Sequence, residues 1–266
     1  MTDAVLATLP ENLAAIRQRR PLIHNITNLV VSNVTANALL ALGASPAMVE
    51  NTEESAELAS IADALVVNLG TVSSPIAAAM RLATKAARDA RRPWVIDPVA
   101  VGALDYRTRL AHELIKNRPA VIRGNASEIA ALAGQTGGGK GVDSLLQAEQ
   151  AVDAAKALAR ETASVVVVSG AIDCVTDGAD AVGIANGHPL MTRVTGMGCT
   201  ATALIGAFLA VAGYPLVAAA QAMVAMGVAG ELAMARAQGP GSLQVAFLDV
   251  LYEMSGAEIC TQARLV

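Results

Sequence analysis

Four runs of almost uninterrupted apolar, β-branched residues, at 64–70, 94–98, 120–124 and 164–170, each end on a glycine, a proline or a polar residue. Runs with no polar alternation suit strands covered on both faces, as in a parallel sheet. Between and before them the apolar positions recur at helical spacing and predict helices at about 29–42, 52–62, 74–91, 106–116, 126–134 and 144–162. In the third, Ile76, Met80, Ala83 and Ala87 mark one face and Arg81, Lys85 and Arg88 the other. Repeated strand and helix units of this kind predict a doubly wound α/β sheet with helices on both faces.

After Ser169 the pattern changes. Short strand-like runs at 172–176, 181–185 and 189–194 are separated by Asp177-Gly178 and Asn186-Gly187-His188, which is hairpin chemistry and predicts an antiparallel edge. From Gly196 onward only helix is expected, at about 197–212, 216–237 and 241–262. No linker or repeat divides the 266 residues, so the expectation is one domain, 1–266, with a helical C-terminal part.

Composition narrows the function class. The chain is 54% apolar, 16% charged and 2% aromatic, which excludes intrinsic disorder. Its net charge of −4 argues against a nucleic-acid partner. A mean hydropathy of +0.48 and the absence of charge between Arg193 and Glu231 raise the question of a membrane. That stretch is broken by Gly213-Tyr214-Pro215 and is rich in Ala, Gly and Thr rather than Leu, so it predicts two buried helices and no membrane partner. The start Met1-Thr2-Asp3-Ala4 carries no leader pattern, and Cys174, Cys199 and Cys260 form no Cys-x-x-Cys pair, so reduced thiols in the cytoplasm are expected.

Ligands of open α/β sheets bind outside the carboxyl ends of the strands. Asn68, Gly70, Asp97, Arg123 to Glu128, and Ser169 all follow predicted strands. Gly134 to Gly141 resembles a phosphate-binding P-loop but is rejected, because Gly141 replaces the metal-binding hydroxyl and a helix, not a strand, precedes it. Thr195-Gly196-Met197-Gly198-Cys199-Thr200-Ala201 opens a long apolar helix, where backbone N–H groups can meet an anion. It also reads as a turn that allows close packing. As a dinucleotide fingerprint it fails, since no acidic residue follows at the end of a next strand. Cys199 falls in the first helical turn, which lowers a thiol's pKa; a reactive role and a small buried hydrophobe both remain open. Asp97 and Glu128 can hold Mg²⁺ through water and Arg123 can meet phosphate, while Glu128 equally fits a capping box with Asn125. His24, His112 and His188 have no metal-ligand spacing.

The succession His24-Asn25-Ile26-Thr27-Asn28, Ser45-Pro46-Ala47-Met48, Ile96-Asp97-Pro98, Arg123-Gly124-Asn125, Ser127-Glu128, Ser169-Gly170 and Gly196-Met197-Gly198-Cys199 resembles the hydroxyethylthiazole kinases, within the ribokinase-like superfamily. Other members of that superfamily carry Asp where this chain has Cys199. The resemblance implies a ribokinase-like fold and ATP-dependent, Mg²⁺-assisted phosphorylation of the primary alcohol of 4-methyl-5-(2-hydroxyethyl)thiazole, in thiamine biosynthesis or salvage. It also implies a homotrimer with active sites between subunits. By motif, Met48 and Gly196 would contact the thiazole, Arg123 and Ser169 the ATP, Asp97 and Glu128 the magnesium, and Cys199 would be catalytic. Met197 departs from the family's small residue between the two glycines. The alternatives are another vitamin-precursor kinase of the superfamily, acting on a pyrimidine or pyridoxal alcohol, a cysteine hydrolase, and a nucleotide-binding regulator without turnover.

Overall fold

The structure is a computed structural model and describes residues 2–135 and 144–266. Along the chain, α1 (Thr2–Arg19), β1 (Leu22–Ile26), α2 (Ser32–Leu42), β2 (Ser45–Met48), α3 (Ser55–Ile61), β3 (Ala64–Asn68), α4 (Ser74–Asp89) and β4 (Trp94–Asp97) come first. They are followed by α5 (Asp105–Ile115), β5 (Val121–Asn125), α6 (Ala126–Leu132), α7 (Ser144–Thr162), β6 (Val165–Ser169), β7 (Asp173–Thr176) and β8 (Ala181–Ile184). A 3₁₀ turn, Pro189–Arg193, leads to α8 (Met197–Leu209), α9 (Pro215–Arg236), α10 (Pro240–Glu253) and α11 (Gly256–Gln262).

The strands form one eight-stranded sheet in the order β2-β1-β3-β4-β5-β6-β7-β8. The first six run parallel, and β7 and β8 are antiparallel additions at one edge. Two apolar clusters lie on its two faces: one is built from α1, α2 and the C-terminal helices, the other from α3 to α7. Every residue of β3 is therefore buried, which is why its sequence shows no alternation. Small residues bring the helices close. A Cβ on Gly206 of α8 would stand 2.6 Å from Val66 of β3, so glycine lets this helix lie directly on the sheet. Among the described residues one helix, α9, is long and apolar enough to cross a membrane, and most of it is buried inside the protein.

Several expectations change. The run 189–194 is not a strand: His188 Nδ1 accepts the Leu190 N–H at 3.1 Å and Pro189 opens a 3₁₀ turn. The stretch 241–262 is two helices, because Met254 leaves helical geometry and the Ser255 side chain caps α11 by accepting the Glu258 N–H. Two parallel strands carried no apolar run to betray them. In β1, His24 and Asn25 interrupt the pattern, and β2 contains Pro46, which an edge strand tolerates. The P-loop-like stretch lies outside the described residues from 136 to 143; Gly134 and Gln135 close α6 by donating to Ala131 and Ala130.

Candidate active site

The parallel strands set their polar ends side by side. In sheet order, Met48 closes β2, Asn28 follows β1, Asn68 closes β3, Asp97 closes β4, Arg123 lies near the end of β5, and Ser169 closes β6. The first turn of α8 lies over this row. Gly196 enters it with φ of 85°, a left-handed conformation that suits glycine, and the site where its Cβ would be is filled by Val31. The N–H groups of Met197, Gly198 and Cys199 belong to that first turn and have no intrahelical acceptor.

Cys199 sits over β1 and β3. Its Sγ accepts from Asn68 Nδ2 at 3.2 Å and from Asn28 Nδ2 at 3.5 Å. Asn28 also donates to Asn68 Oδ1 at 2.8 Å, and Asn68 donates to Asp97 Oδ2 at 2.8 Å. Thr202, three residues after Cys199 on the same helix face, donates to the same Asp97 oxygen at 2.9 Å. Thus one network joins the thiol to the acid. Arg123 stands 3.9 Å from Asp97 on the other side. Its guanidinium lies so close to the turn of α8 that a Cβ on Gly198 would stand 2.8 Å from it, and its buried Nε has no hydrogen-bond partner among the described residues.

Burial dominates the electrostatics. The Asp97 carboxyl is pushed up to about 6 by desolvation, with Glu128 adding to the rise, against the pull of Arg123, Thr202 and Asn68. The Cys199 thiol is raised by burial and then by the Asp97 charge, which outweigh its two amide donors and Arg123. This corrects the expectation of a lowered thiol: the helix N-terminus is present, but so are a desolvated environment and a neighbouring acid. A thiol held protonated is a poor nucleophile, which removes the basis for a cysteine hydrolase.

Glu128 completes the capping box. Its Oε2 accepts the Asn125 N–H and its own N–H donates to Asn125 Oδ1, both at 2.9 Å. Its Oε1 accepts the N–H of Ala100, a residue at φ of 62°, so it also braces the loop after Asp97. Among the described residues no three His, Cys, Asp or Glu side chains cluster as a metal cage. The donor set nevertheless fits Mg²⁺, which takes one or two carboxylates and fills its shell with water and phosphate. Asp97 Oδ1 accepts no hydrogen bond among the described residues, and the nearby Glu128 charge adds to the rise of the buried Asp97 carboxyl.

Beyond Arg123 a cavity of about 450 Å³ opens. Arg123, Ser169 and Asp173 contribute polar groups from β5 to β7, and Met191, Met223 and Met226 an apolar wall from the 3₁₀ turn and α9. Asp173 accepts the Gly170 N–H, and burial pushes its carboxyl up to about 6. The residues expected at the thiazole, Met48 and Gly196, do not line this cavity; they lie toward β2 and α2. Sequence reading gave no role to Asn28, Thr202 or Asp173. Asn28 had its place in the His24-Asn25-Ile26-Thr27-Asn28 motif but no role, and Thr202 only its helical spacing from Cys199. His24 is buried and neutral, its Nε2 paired with Val49 O at 2.7 Å.

A sequence profile of the hydroxyethylthiazole kinase family matches residues 13–257. A hydroxyethylthiazole kinase of Granulibacter bethesdensis is 64% identical over 254 residues, covering 96% of this chain and 93% of the relative. One from Escherichia coli is 53% identical over 243 residues, covering 91% and 93%. The solved hydroxyethylthiazole kinase structure from Pyrococcus horikoshii OT3 superposes with a TM-score of 0.90 at 44% identity, covering 98% of both chains. A pyridoxal kinase of Staphylococcus aureus, with a TM-score of 0.60 at 16% identity over 79% of this chain and 87% of that one, shares the fold. A match of this depth over nearly the whole sequence makes the chain a member of the hydroxyethylthiazole kinase family, and so a kinase.

Proposed function

We propose that this kinase transfers the γ-phosphoryl group of ATP to the primary alcohol of 4-methyl-5-(2-hydroxyethyl)thiazole, with the whole chain acting as one ribokinase-like domain. The observation that carries this reading is the row of residues along the sheet: acceptor side at Met48 and Gly196, then Cys199, Asp97 and Arg123, then the cavity at Ser169. Such an order suits in-line transfer, with the alcohol on one side and the nucleotide on the other.

The cavity takes ATP, with Arg123 and the Ser169 hydroxyl at the phosphates and the methionines at the base. Phosphoryl transfer passes through a loose transition state in which the attacking hydroxyl keeps its proton until late. A weak acceptor therefore suffices, and Cys199 Sγ, held in place by Asn28 and Asn68, orients the alcohol. The free N–H groups of Met197 to Cys199 and the Arg123 guanidinium receive the charge that develops on the γ-phosphoryl oxygens. Asp97 and Glu128 would hold Mg²⁺, and the ion when bound would neutralise phosphate charge.

An ADP-release assay with the hydroxyethyl thiazole, run with and without Mg²⁺, tests the reading. Turnover that needs both is expected; turnover with a pyrimidine or pyridoxal alcohol instead would replace the acceptor.

The assembly belongs to the same proposal. Among the described residues the β2 edge, with Met48, pairs only with β1, and the flanking elements expose Leu29, Val30, Leu40 and Ile61. A homotrimer covers this edge and completes the acceptor side of each site. Leu40→Glu is expected to give a monomer of reduced activity, and a fully active monomer in sedimentation would refute the trimer. A cytoplasmic setting accords with the three free cysteines.

A further inference from the structure

The far wall of the donor cavity is a loop, Asn186-Gly187-His188-Pro189, that follows edge strand β8. A loop there would ordinarily be adjustable, yet this one is tied through both polar atoms of the Asn186 side chain and through the Gly187 N–H. Asn186 is nearly fully buried. Its Nδ2 donates to Gln262 O at 2.9 Å and reaches the Glu231 carboxylate at 3.3 Å, and its Oδ1 accepts the Arg264 N–H at 2.7 Å. Gly187 donates its N–H to Glu231 Oε1 at 2.5 Å. Arg264 then closes the network: its guanidinium forks onto both Glu231 oxygens and donates to Ala185 O at 2.9 Å.

Two further features hold the same wall. Residues 264–266 run beside β8 as an extra antiparallel segment, through Ala185 N–H to Arg264 O at 2.8 Å and a reciprocal Gly183 and Val266 pair at 2.9 and 3.0 Å. On the inner side the loop presses on α9 at Gly227, where a Cβ would stand 2.6 Å from Asn186 Cβ and 2.8 Å from its backbone. The mechanism above uses none of Asn186, Glu231 or Arg264.

The geometry points to Arg264, Glu231 and Asn186 as positioning residues that set the base end of the ATP cavity, at a distance from the phosphate end held by Arg123. Arg264 acts through Glu231, and Glu231 through the Gly187 N–H and the Asn186 amide. Three donor groups converge on Glu231 and hold its carboxylate below the ordinary range against the upward pull of burial, so it stays charged throughout the working pH range. A half-exposed ion pair contributes little to global stability, so its loss is expected to register in the shape of the loop.

The inference rests on the assignment of the cavity to ATP. Arg264→Ala in the full chain is expected to raise the KM for ATP about tenfold, with kcat at saturating ATP and the KM for the thiazole alcohol within about twofold of the parent. Inorganic tripolyphosphate, which samples only the phosphate end, should inhibit both proteins equally, while adenosine should inhibit the variant about tenfold more weakly. Arg264→Lys keeps the charge without the fork and should recover part of the loss. If Arg264→Ala folds poorly, Glu231→Gln, which keeps the shape, is read in the same way. An unchanged KM for ATP, or a tripolyphosphate constant that rises by the same factor, overturns the proposal. Calorimetric titration of the parent with ATP separates the two failures: no binding removes the ATP reading itself, whereas binding equal in parent and variant removes only the positioning role.

Discussion

The row from Asn28 to Arg123 and the methionine-walled cavity beside it share a sheet but are built on opposite physical rules. In the first, the groups have fixed directions: Asn68 serves both Cys199 and Asp97, and Thr202 and Asn68 meet at one carboxylate oxygen. In the second, Met191, Met223 and Met226 present polarisable surface with no directional demand. Charge that develops during transfer needs preoriented partners, whereas an apolar wall asks only for matching volume. The boundary between the two is Arg123, which touches the turn of α8 and lines the cavity.

Substitutions can break that contrast. Asp97→Asn keeps the volume and removes the charge, and kcat/KM is expected to fall about 10²–10³-fold in steady-state kinetics. A loss of only a few-fold would show that the row is not electrostatically demanding. Cys199→Asp keeps an acceptor at the same place and is expected to retain activity within about tenfold, with Cys199→Ala falling further. A folded, ATP-binding but inactive Cys199→Asp protein would end the orienting role. At Met226, Leu is close in volume, and the KM for ATP should move less than about threefold. A loss there to match Asp97→Asn would erase the distinction between the regions.

The same contrast has a pH signature. The folded-state Asp97 pKa of about 6 lies above its ordinary 3.8, so the folded protein binds the extra proton between those values. The stability this group contributes is therefore complete below about pH 4 and is lost as pH rises through about 6. Asp97→Asn abolishes the titration, so its melting temperature relative to the parent should climb by a few degrees from pH 5 to pH 8. Asp173 titrates in the same window in both proteins and cancels in the difference. A difference that stays flat with pH would refute the burial of a charged Asp97. Wild-type kcat/KM should decline below about pH 6, as the carboxylate that faces Arg123 is protonated.

The four apolar runs, their intervening helices and the antiparallel edge at β7 and β8 could be read from local periodicity, because strands covered on both faces and amphipathic helices each leave a repeat within ten or so residues. So could the placement of Asp97, Arg123 and Ser169 at strand ends. β1 and β2 were not legible by periodicity, since His24, Asn25 and Pro46 are explained by neighbours rather than by alternation. Nor was the 3₁₀ turn at Pro189, where one histidine side chain redirects a run that otherwise reads as a strand.

The sequence by itself determined the α/β order, the strand ends at which chemistry collects and, through its motifs, the family. Only the tertiary structure decided the state of Cys199, the double duty of Glu128 and the tether of the cavity wall by Arg264. The reason is range. A repeat is written within one segment, but the field at Cys199 comes from Asn28, Asn68 and Asp97, brought to it across more than a hundred residues by the parallel sheet.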